Sequence, residues 1–495
     1  MKVRKPSESF RAHQHLIIDS STPLPNKQHE HIAVVSSLGV LRKRVLIPLF
    51  RNPERFGIIR GTPPGPAPMP MSKTSPKRLT AISLFTGVGG LDFGFEAAGF
   101  ETVAAVELNP GACRTIRANR NWPVLEGRIE DFSSRQILKA AGLKSGEPDV
   151  LIGGPPCQPF SKSGYWKSGD ALRLQDPRAD TLTQYLRVLA ETKPRAFLLE
   201  NVPGLAFDSK SEGLQYLLEG IKAVNRKAKT KYQVHWQVLN AAGFGVPQLR
   251  ERVFLVGSRD GKPFVFPEPS FFPPELATGG KQPYRTAWDA LGNLPPDPVD
   301  DSLVVGGKWG NLLPSIPEGQ NYLWHTGRGQ GEPIFGWRTR YWSFLLKLAK
   351  NRPSWTIQAQ PGTAIGPFHW RSRRLTAAEL CRLQTFPEGL RFDGGRTEVQ
   401  RLLGNAVPSL LAEILAWEIR QQLLGIPVKP RKLKLLPPAR DDQPDAEEVA
   451  PVPDEYAPYI GEHADHPGEG KGKGAVKRSS PQKDLFSDGL ANEAT

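Results

Sequence analysis

The chain has 495 residues, 39% of them hydrophobic and 23% charged, enough apolar material for two or three globular domains with polar extras. Its three cysteines, Cys113, Cys157 and Cys381, are odd in number and widely scattered, which excludes a disulfide framework and a clustered zinc site and suits a reducing cytoplasm. The formal charge of +15 points to a polyanionic partner, and neither a secretion signal nor an apolar run long enough to span a bilayer is expected.

Residues 1–78 are basic and proline-bearing, ending in Gly61-Thr62-Pro63-Pro64-Gly65-Pro66-Ala67-Pro68, and such a segment does not build a packed core. They read as a disordered arm or, since Met69 and Met71 sit just before the first convincing strand, as an artefact of start-site choice. Leu79–Phe85 is then a short apolar run closed by glycines, the pattern of a buried parallel strand. Similar runs recur at Thr102–Leu108, Asp149–Gly153 and Ala196–Glu200, separated by helical stretches such as Gly111–Asn119 and Thr181–Thr192. That alternation predicts a doubly wound α/β fold with a mostly parallel sheet. Gln233–Leu239 and Arg252–Gly257 add an antiparallel pair at the sheet edge.

From 258 to 370 the alternation stops, and a Pro-, Gly-, Trp- and Arg-rich stretch with one helix at Tyr341–Lys350 reads as a separate loop-rich domain. Helices return at Thr376–Gln384 and Leu410–Leu424. The expected organisation is therefore 79–257 and 371–427 as one α/β domain, 258–370 as the second, and 428–495 as a disordered tail that turns from basic to acidic.

Three strand ends carry chemistry. Phe85-Thr86-Gly87-Val88-Gly89-Gly90 lets the backbone turn tightly and approach a ligand, although its spacing is not the dinucleotide fingerprint and no phosphate-loop lysine follows. Glu107 ends the next strand, where a carboxylate accepts both hydroxyls of a ribose or, alternatively, caps the helix near Pro110. Gly153-Gly154-Pro155-Pro156-Cys157-Gln158-Pro159 frames a cysteine in rigid backbone, which core packing does not require, whereas Cys113 and Cys381 lie in helices and read as core. Glu200 brings a carboxylate to the same rim. Arg250 and Arg252 share a face of an extended segment, placed to grip phosphate or a carboxylate, to hold the cysteine loop, or merely to be solvated on an edge strand.

Taken in order, Ser83–Gly90, Val106–Glu107, Gly153–Ser161, Glu200–Val202, Gln248–Arg252, Arg374–Pro387 and Gly404-Asn405-Ala406-Val407-Pro408 resemble the cytosine-5 DNA methyltransferase family, its bacterial restriction-modification branch in particular, over about residues 79–425. The resemblance implies the S-adenosylmethionine-dependent methyltransferase fold with a smaller target-recognition domain. Phe85, Gly87, Gly89, Gly90, Glu107, Ile129, Pro156 and Asn405 are the implied S-adenosylmethionine residues, with no metal. Cys157 is the implied nucleophile, Glu200 the contact to the target base, and Arg250 and Arg252 the supports of the reacting ring and cysteine loop. Gly127-Arg128-Ile129 departs from the family, which usually has an acid where Arg128 stands, and this puts the adenine contact in doubt.

The implied partner is double-stranded DNA, with Arg338, Arg340, Arg371 and Arg373 as candidate contacts, and a restriction endonuclease acting on the same site as a functional partner. A monomer in the bacterial cytoplasm, associated with the nucleoid, is expected. Two rivals stand beside this reading. A transfer-RNA methyltransferase on the same fold has no use for the long insert between Arg252 and Thr376, and a non-catalytic DNA-binding regulator has none for the Cys157, Glu200, Arg250 and Arg252 set.

Overall fold

In the computed structural model, residues 78–156, 180–206, 212–295, 300–338, 341–427 and 432–465 are described. Cys157 lies outside them, as do residues 1–77 and Arg340. Seven strands, β1 (Leu79–Leu84), β2 (Phe100–Glu107), β3 (Val124–Glu126), β4 (Val150–Gly153), β5 (Ala196–Asn201), β6 (Gln233–Asn240) and β7 (Glu251–Ser258), form one sheet in the order β3-β2-β1-β4-β5-β7-β6. Strands β1 to β5 pair in parallel, while β7 runs antiparallel to both β5 and the edge strand β6. The doubly wound sheet and its antiparallel edge pair are as the sequence predicts. The short strand β3, three residues without an apolar run, gave no such signal.

Helices α1 (Gly90–Ala97), α2 (Pro110–Asn119), α3 (Ser134–Ala141), α4 (Asp180–Thr192) and α5 (Glu212–Ala228) connect the strands. Both sheet faces are covered, which explains why the central strands are apolar throughout. Leu79, Ala81, Val150, Ile152, Ala196 and Leu198 point to one core, and Ile82, Leu84, Leu151, Phe197 and Leu199 to the other. Four short helices follow: α6 (Ala287–Leu291), α7 (Ala377–Leu383), α8 (Arg396–Asn405) and α9 (Ser409–Glu418). The α9 segment returns to close the first core, with Leu410, Leu411 and Leu415 fully buried. The run Arg396–Leu423 has the length and hydropathy of a membrane span, contrary to expectation, but 83% of its apolar window is buried inside the molecule.

Tyr341–Lys350 is not a helix. It is a run of turns and isolated bridges, with Leu345 at φ 53°, in which Leu345 and Leu348 donate to the carbonyls of Ala364 and Phe368, and Lys347 to that of Gln320. Within this irregular run Leu345 fills one apolar cluster and Leu348 another. Two clusters on opposite sides of one segment outweigh a sequence that helical spacing also fits. The tail also departs from expectation. Residues 432–465 run along the body: Glu413 accepts the backbone N–H groups of Lys434 and Leu435, and Tyr456 is buried in the core of the loop-rich region.

Candidate active site

The chain builds β1, β2 and β3 outward, then returns to lay β4 beside β1. That reversal is where open α/β sheets bind ligands, outside the carboxyl ends of their strands. Leu84 pairs with Val106 and Gly153, and Gly153 with Leu199, so the loops after β1, β2, β4 and β5 emerge side by side.

The loop after β1 is held in an uncommon backbone state. Phe85 has φ 53°, rare for a residue with a Cβ, and Gly87 and Gly89 have φ 57° and 88°. Around Gly87 a Cβ would meet nothing within 4 Å, so this side of the loop is open. Gly90 answers to a different need: a Cβ there would lie 2.4 Å from the Val407 carbonyl oxygen. It lets the Gly404–Pro408 loop back directly onto the glycine turn.

Glu107 braces this turn, accepting the Gly87 N–H and the Asn109 N–H, each at 2.7 Å. It does not cap α2, since Asn109 does so by accepting the Ala112 N–H. Burial pushes its carboxyl up, and the two backbone N–H groups partly offset that. Beside it Leu108 stands 61% exposed, an apolar surface next to a strand-end acid. Sequence reasoning missed Leu108 because it reads as one more strand residue. Its exposure appears only once the strand is seen to stop at Glu107.

Ile129 opens the short helical turn after β3. It is buried in the core with Ile82, Leu84 and Val106, and its carbonyl accepts from Arg187 at 3.1 Å, so it supports the site from behind. Arg128 is taken up locally, its guanidinium on Glu130 at 2.7 Å and its N–H on Asp131 at 3.1 Å.

At the other end of the crevice, Glu200 meets the loop that leads to Cys157. Its Oε1 lies 3.0 Å from Arg252 Nε, and a Cβ on Gly154 would come within 2.9 Å of its Oε2. The carboxylate therefore stands over the cysteine loop, with glycine making room for it. Burial raises the Glu200 carboxyl above its ordinary range, opposed first by Arg252 and then by Arg250. A carboxyl raised in this way holds its proton more readily than an exposed one. Asn201 ties the same loop from the strand end, donating to the Pro155 carbonyl at 3.3 Å. Pro156 itself is exposed, and Cys157 lies outside the described residues.

Arg250 and Arg252 take different roles. Arg250 is fully buried and donates to the carbonyls of Ile357, Gly404 and Ala406 at 3.3, 2.7 and 2.9 Å. This overturns the solvated edge-strand alternative and places Arg250 as a clamp on the loop that carries Asn405. Two residues without an assigned role complete the clamp. Gln248 donates to Gln384 Oε1 at 3.0 Å, and Gln384 to the Leu403 carbonyl at 2.6 Å, both side chains fully buried. Their signal was amides inside motif segments that otherwise read as apolar or charged. The clamp exposes Asn405 at the end of α8, behind the glycine turn.

Cys113 and Cys381 are buried thiols, both pushed up to about 12 by burial, which fits core packing and not nucleophilic chemistry. Of the candidate DNA contacts, Arg338 and Arg371 are exposed, but Arg373 pairs with Glu379 at 2.7 Å inside the protein. Among the described residues no cluster of metal-ligating side chains is present.

The family model of C-5 cytosine-specific DNA methylase matches residues 79–421. Type II methyltransferase M.SacI of Streptomyces achromogenes is 41% identical over 372 residues, 70% of this chain and 93% of that protein. M.AquIA of Picosynechococcus is 46% identical over 233 residues, covering 45% of this chain and 92% of that protein. M.NgoFVII of Neisseria gonorrhoeae is 35% identical over 329 residues, covering 66% and 82%. With the reversal of strand order, the glycine turn braced by Glu107 and the buried Glu200–Arg252 pair in place, the chain belongs to the C-5 cytosine-specific DNA methylase family and is a DNA (cytosine-5-)-methyltransferase.

Proposed function

We propose that the chain methylates carbon 5 of a cytosine flipped out of a specific duplex DNA sequence, through a covalent adduct at Cys157. The observation that carries this reading is the buried Glu200–Arg252 pair standing over Gly154, three residues before Cys157 and one strand from the glycine turn.

The open, glycine-lined turn, the exposed Leu108 and the half-buried Glu107 carboxylate fit a nucleoside with an apolar ring face and ribose hydroxyls. Phe85, Gly87, Gly89, Gly90, Glu107, Leu108 and Asn405 would hold S-adenosylmethionine, with Pro156 shaping the adjoining loop. Bound there, it supplies a sulfonium methyl group to a carbon nucleophile.

The residues of the chain make that nucleophile. Carbon 5 of cytosine is unreactive while the ring is conjugated. Addition of the Cys157 thiolate to carbon 6 breaks the conjugation and moves electron density to carbon 5. Glu200 holds the exocyclic amine and shares its proton with ring nitrogen 3 as negative charge develops there. Arg252 fixes the Glu200 carboxylate in place for this task. After methyl transfer, water removes the carbon 5 proton and the Cys157 sulfur leaves. A stacked base offers no path for this attack, and flipping it out costs roughly a few kcal/mol. Basic contacts from the region 258–370, which we assign as the target-recognition domain beside the catalytic segments 79–257 and 371–427, offset that cost.

The Type II names of the relatives support a modification role paired with a restriction endonuclease on the same sequence, and we take the chain to act on bacterial DNA as a monomer. Duplex containing 5-fluorocytosine tests the mechanism, because fluorine cannot leave carbon 5 as a cation. With S-adenosylmethionine present, a denaturation-resistant protein–DNA complex is expected, mapping to Cys157 by peptide mass and absent in Cys157→Ser. An active enzyme that gives no such complex sinks the covalent mechanism.

A further inference from the structure

The turn Gly327-Arg328-Gly329-Gln330-Gly331 is pinned to the aromatic layer beneath it. Gly329 and Gly331 donate to the carbonyls of Thr326 and Trp324 at 3.0 and 2.9 Å. A Cβ on Gly329 would come within 2.3 Å of the Leu323 and Trp324 oxygens, and one on Gly331 within 2.5 Å of Trp324 Nε1. Below, the buried His325 ring spans Ser315 Oγ and the Glu332 carbonyl at 2.8 and 2.9 Å, and its own carbonyl accepts from Ile334 and Phe335. The turn is a rigid platform.

Arg328 projects from it, its side chain 54% exposed. The guanidinium carbon lies 4.1 Å from the Trp337 ring centroid, and Nη2 lies 3.0 Å from Asp465 Oδ2. Asp465 also accepts the Trp337 N–H at 3.1 Å through Oδ1, so one carboxylate fixes both the arginine and the indole-bearing segment. An exposed ion pair between long side chains is ordinarily weak, because ordering the arginine loses rotamer freedom. Here a rigid turn, a stacked ring and a carboxylate from 137 residues away all hold one arginine in one geometry.

An oriented guanidinium fork is what bidentate readout of guanine O6 and N7 requires. The neighbouring carboxylate decides between the two anionic or acceptor groups that DNA offers. Asp465 repels the full negative charge of a phosphate more strongly than the partial charges on the neutral acceptor edge of guanine. We infer that Arg328 is a specificity-determining residue that reads a guanine in the target sequence, with Asp465 and Trp337 as its positioning residues. The inference rests on the reading of the chain as a duplex DNA methyltransferase with its recognition region at 258–370.

The test is made with the full chain, as wild type, Arg328→Lys, Arg328→Ala and Asp465→Asn, each expressed in a host lacking its own cytosine methylation. Bisulfite sequencing defines the consensus of each variant, and purified proteins are then timed on consensus duplex and on duplexes altered at single base pairs. Both Arg328 variants are expected to relax one guanine position, discrimination there falling roughly 10- to 100-fold, while S-adenosylmethionine affinity and melting temperature hold. Asp465→Asn should relax the same position less. Arg328→Lys keeps charge and stem, so it carries the test if Arg328→Ala does not fold. An unchanged consensus overturns the inference. So does an equal loss at every site with a shallower salt dependence, the mark of a phosphate contact. Wild type that methylates no duplex DNA overturns the parent reading instead, and this inference with it.

Discussion

Glu200 and Arg250 are both buried charges at one crevice, yet they answer to different demands. Glu200 has one cation at 3.0 Å and stands against Gly154, where the proposed chemistry needs a carboxylate. Glu200→Gln keeps the shape and removes the proton exchange, and methyl transfer is expected to fall roughly 10²- to 10⁴-fold with S-adenosylmethionine affinity unchanged, as read by single-turnover transfer and calorimetry. Arg250 satisfies three carbonyls and touches no open surface. Arg250→Met takes this donor from the Ile357 and Gly404 oxygens and leaves the Ala406 oxygen only Gln384 at 3.4 Å, so a loss of about 3 kcal/mol or more in urea unfolding is expected, with weakened cofactor binding through the Gly404–Ala406 loop. Asp92 is a third buried acid, bonded by Ser83 and Thr102 hydroxyls and raised by burial to about 6 from 3.8. A raised carboxyl binds its proton more tightly when folded, so its stabilisation is complete below the unfolded value and is lost as pH rises to about 6. Relative to Asp92→Asn, the wild type should lose up to about 3 kcal/mol between pH 4 and 6.5 in denaturant titrations. The chemical identity of Glu200, Arg250 and Arg252 was legible in the sequence, because charged residues ending apolar strands need a reason. Which arginine pairs with Glu200 and which clamps a loop was not. The carbonyls that Arg250 meets come from residues more than a hundred positions away.

At the scale of elements, glycines mark where two backbones meet. A Cβ on Gly94 in α1 would lie 2.4 Å from both the Ala412 Cβ and the Ser409 oxygen of α9. Gly94→Ala must push the two helices apart, and a loss of roughly 1–3 kcal/mol is expected, seen as a lower melting temperature. Gly154→Ala acts on the site instead, displacing the Glu200 carboxylate, so transfer rate should fall while the melting temperature barely moves. Strand positions were readable because β1, β4 and β5 are buried on both faces and need unbroken apolar runs. The β3 strand and the irregular 341–350 segment were not. β3 is held by its pairing with β2, and the second by hydrogen bonds to 320, 364 and 368, none of which leaves a local period.

Over the whole molecule, the segment 432–465 binds the loop-rich region to the catalytic body. Residues 441–465 contain nine carboxylates and no lysine or arginine. Lys350, buried, contacts Glu318 Oε1 at 2.6 Å, Glu447 Oε1 at 3.1 Å and the Asp445 carbonyl at 2.9 Å. Nearby Lys347 is pushed down to about 8 by burial and donates to the Ile316 carbonyl. Tyr456 stacks on Trp309, ring centroids 5.6 Å apart. Ending the chain at residue 431 removes one of the two carboxylates facing Lys350 and opens the core around Tyr456. Loss of duplex methylation with retained S-adenosylmethionine binding is expected, and proteolysis should cut first within 300–375. The amino-acid sequence by itself determined the sheet, the residues at its strand ends and the family, because these rest on local apolar runs and on short motifs. Only the tertiary structure decided that an acidic, proline-rich tail is a packed strap, that Arg250 is a clamp and that Arg328 is held by Asp465. In each case the partner that neutralises a charge or covers a ring lies far along the chain, and composition carries no record of it.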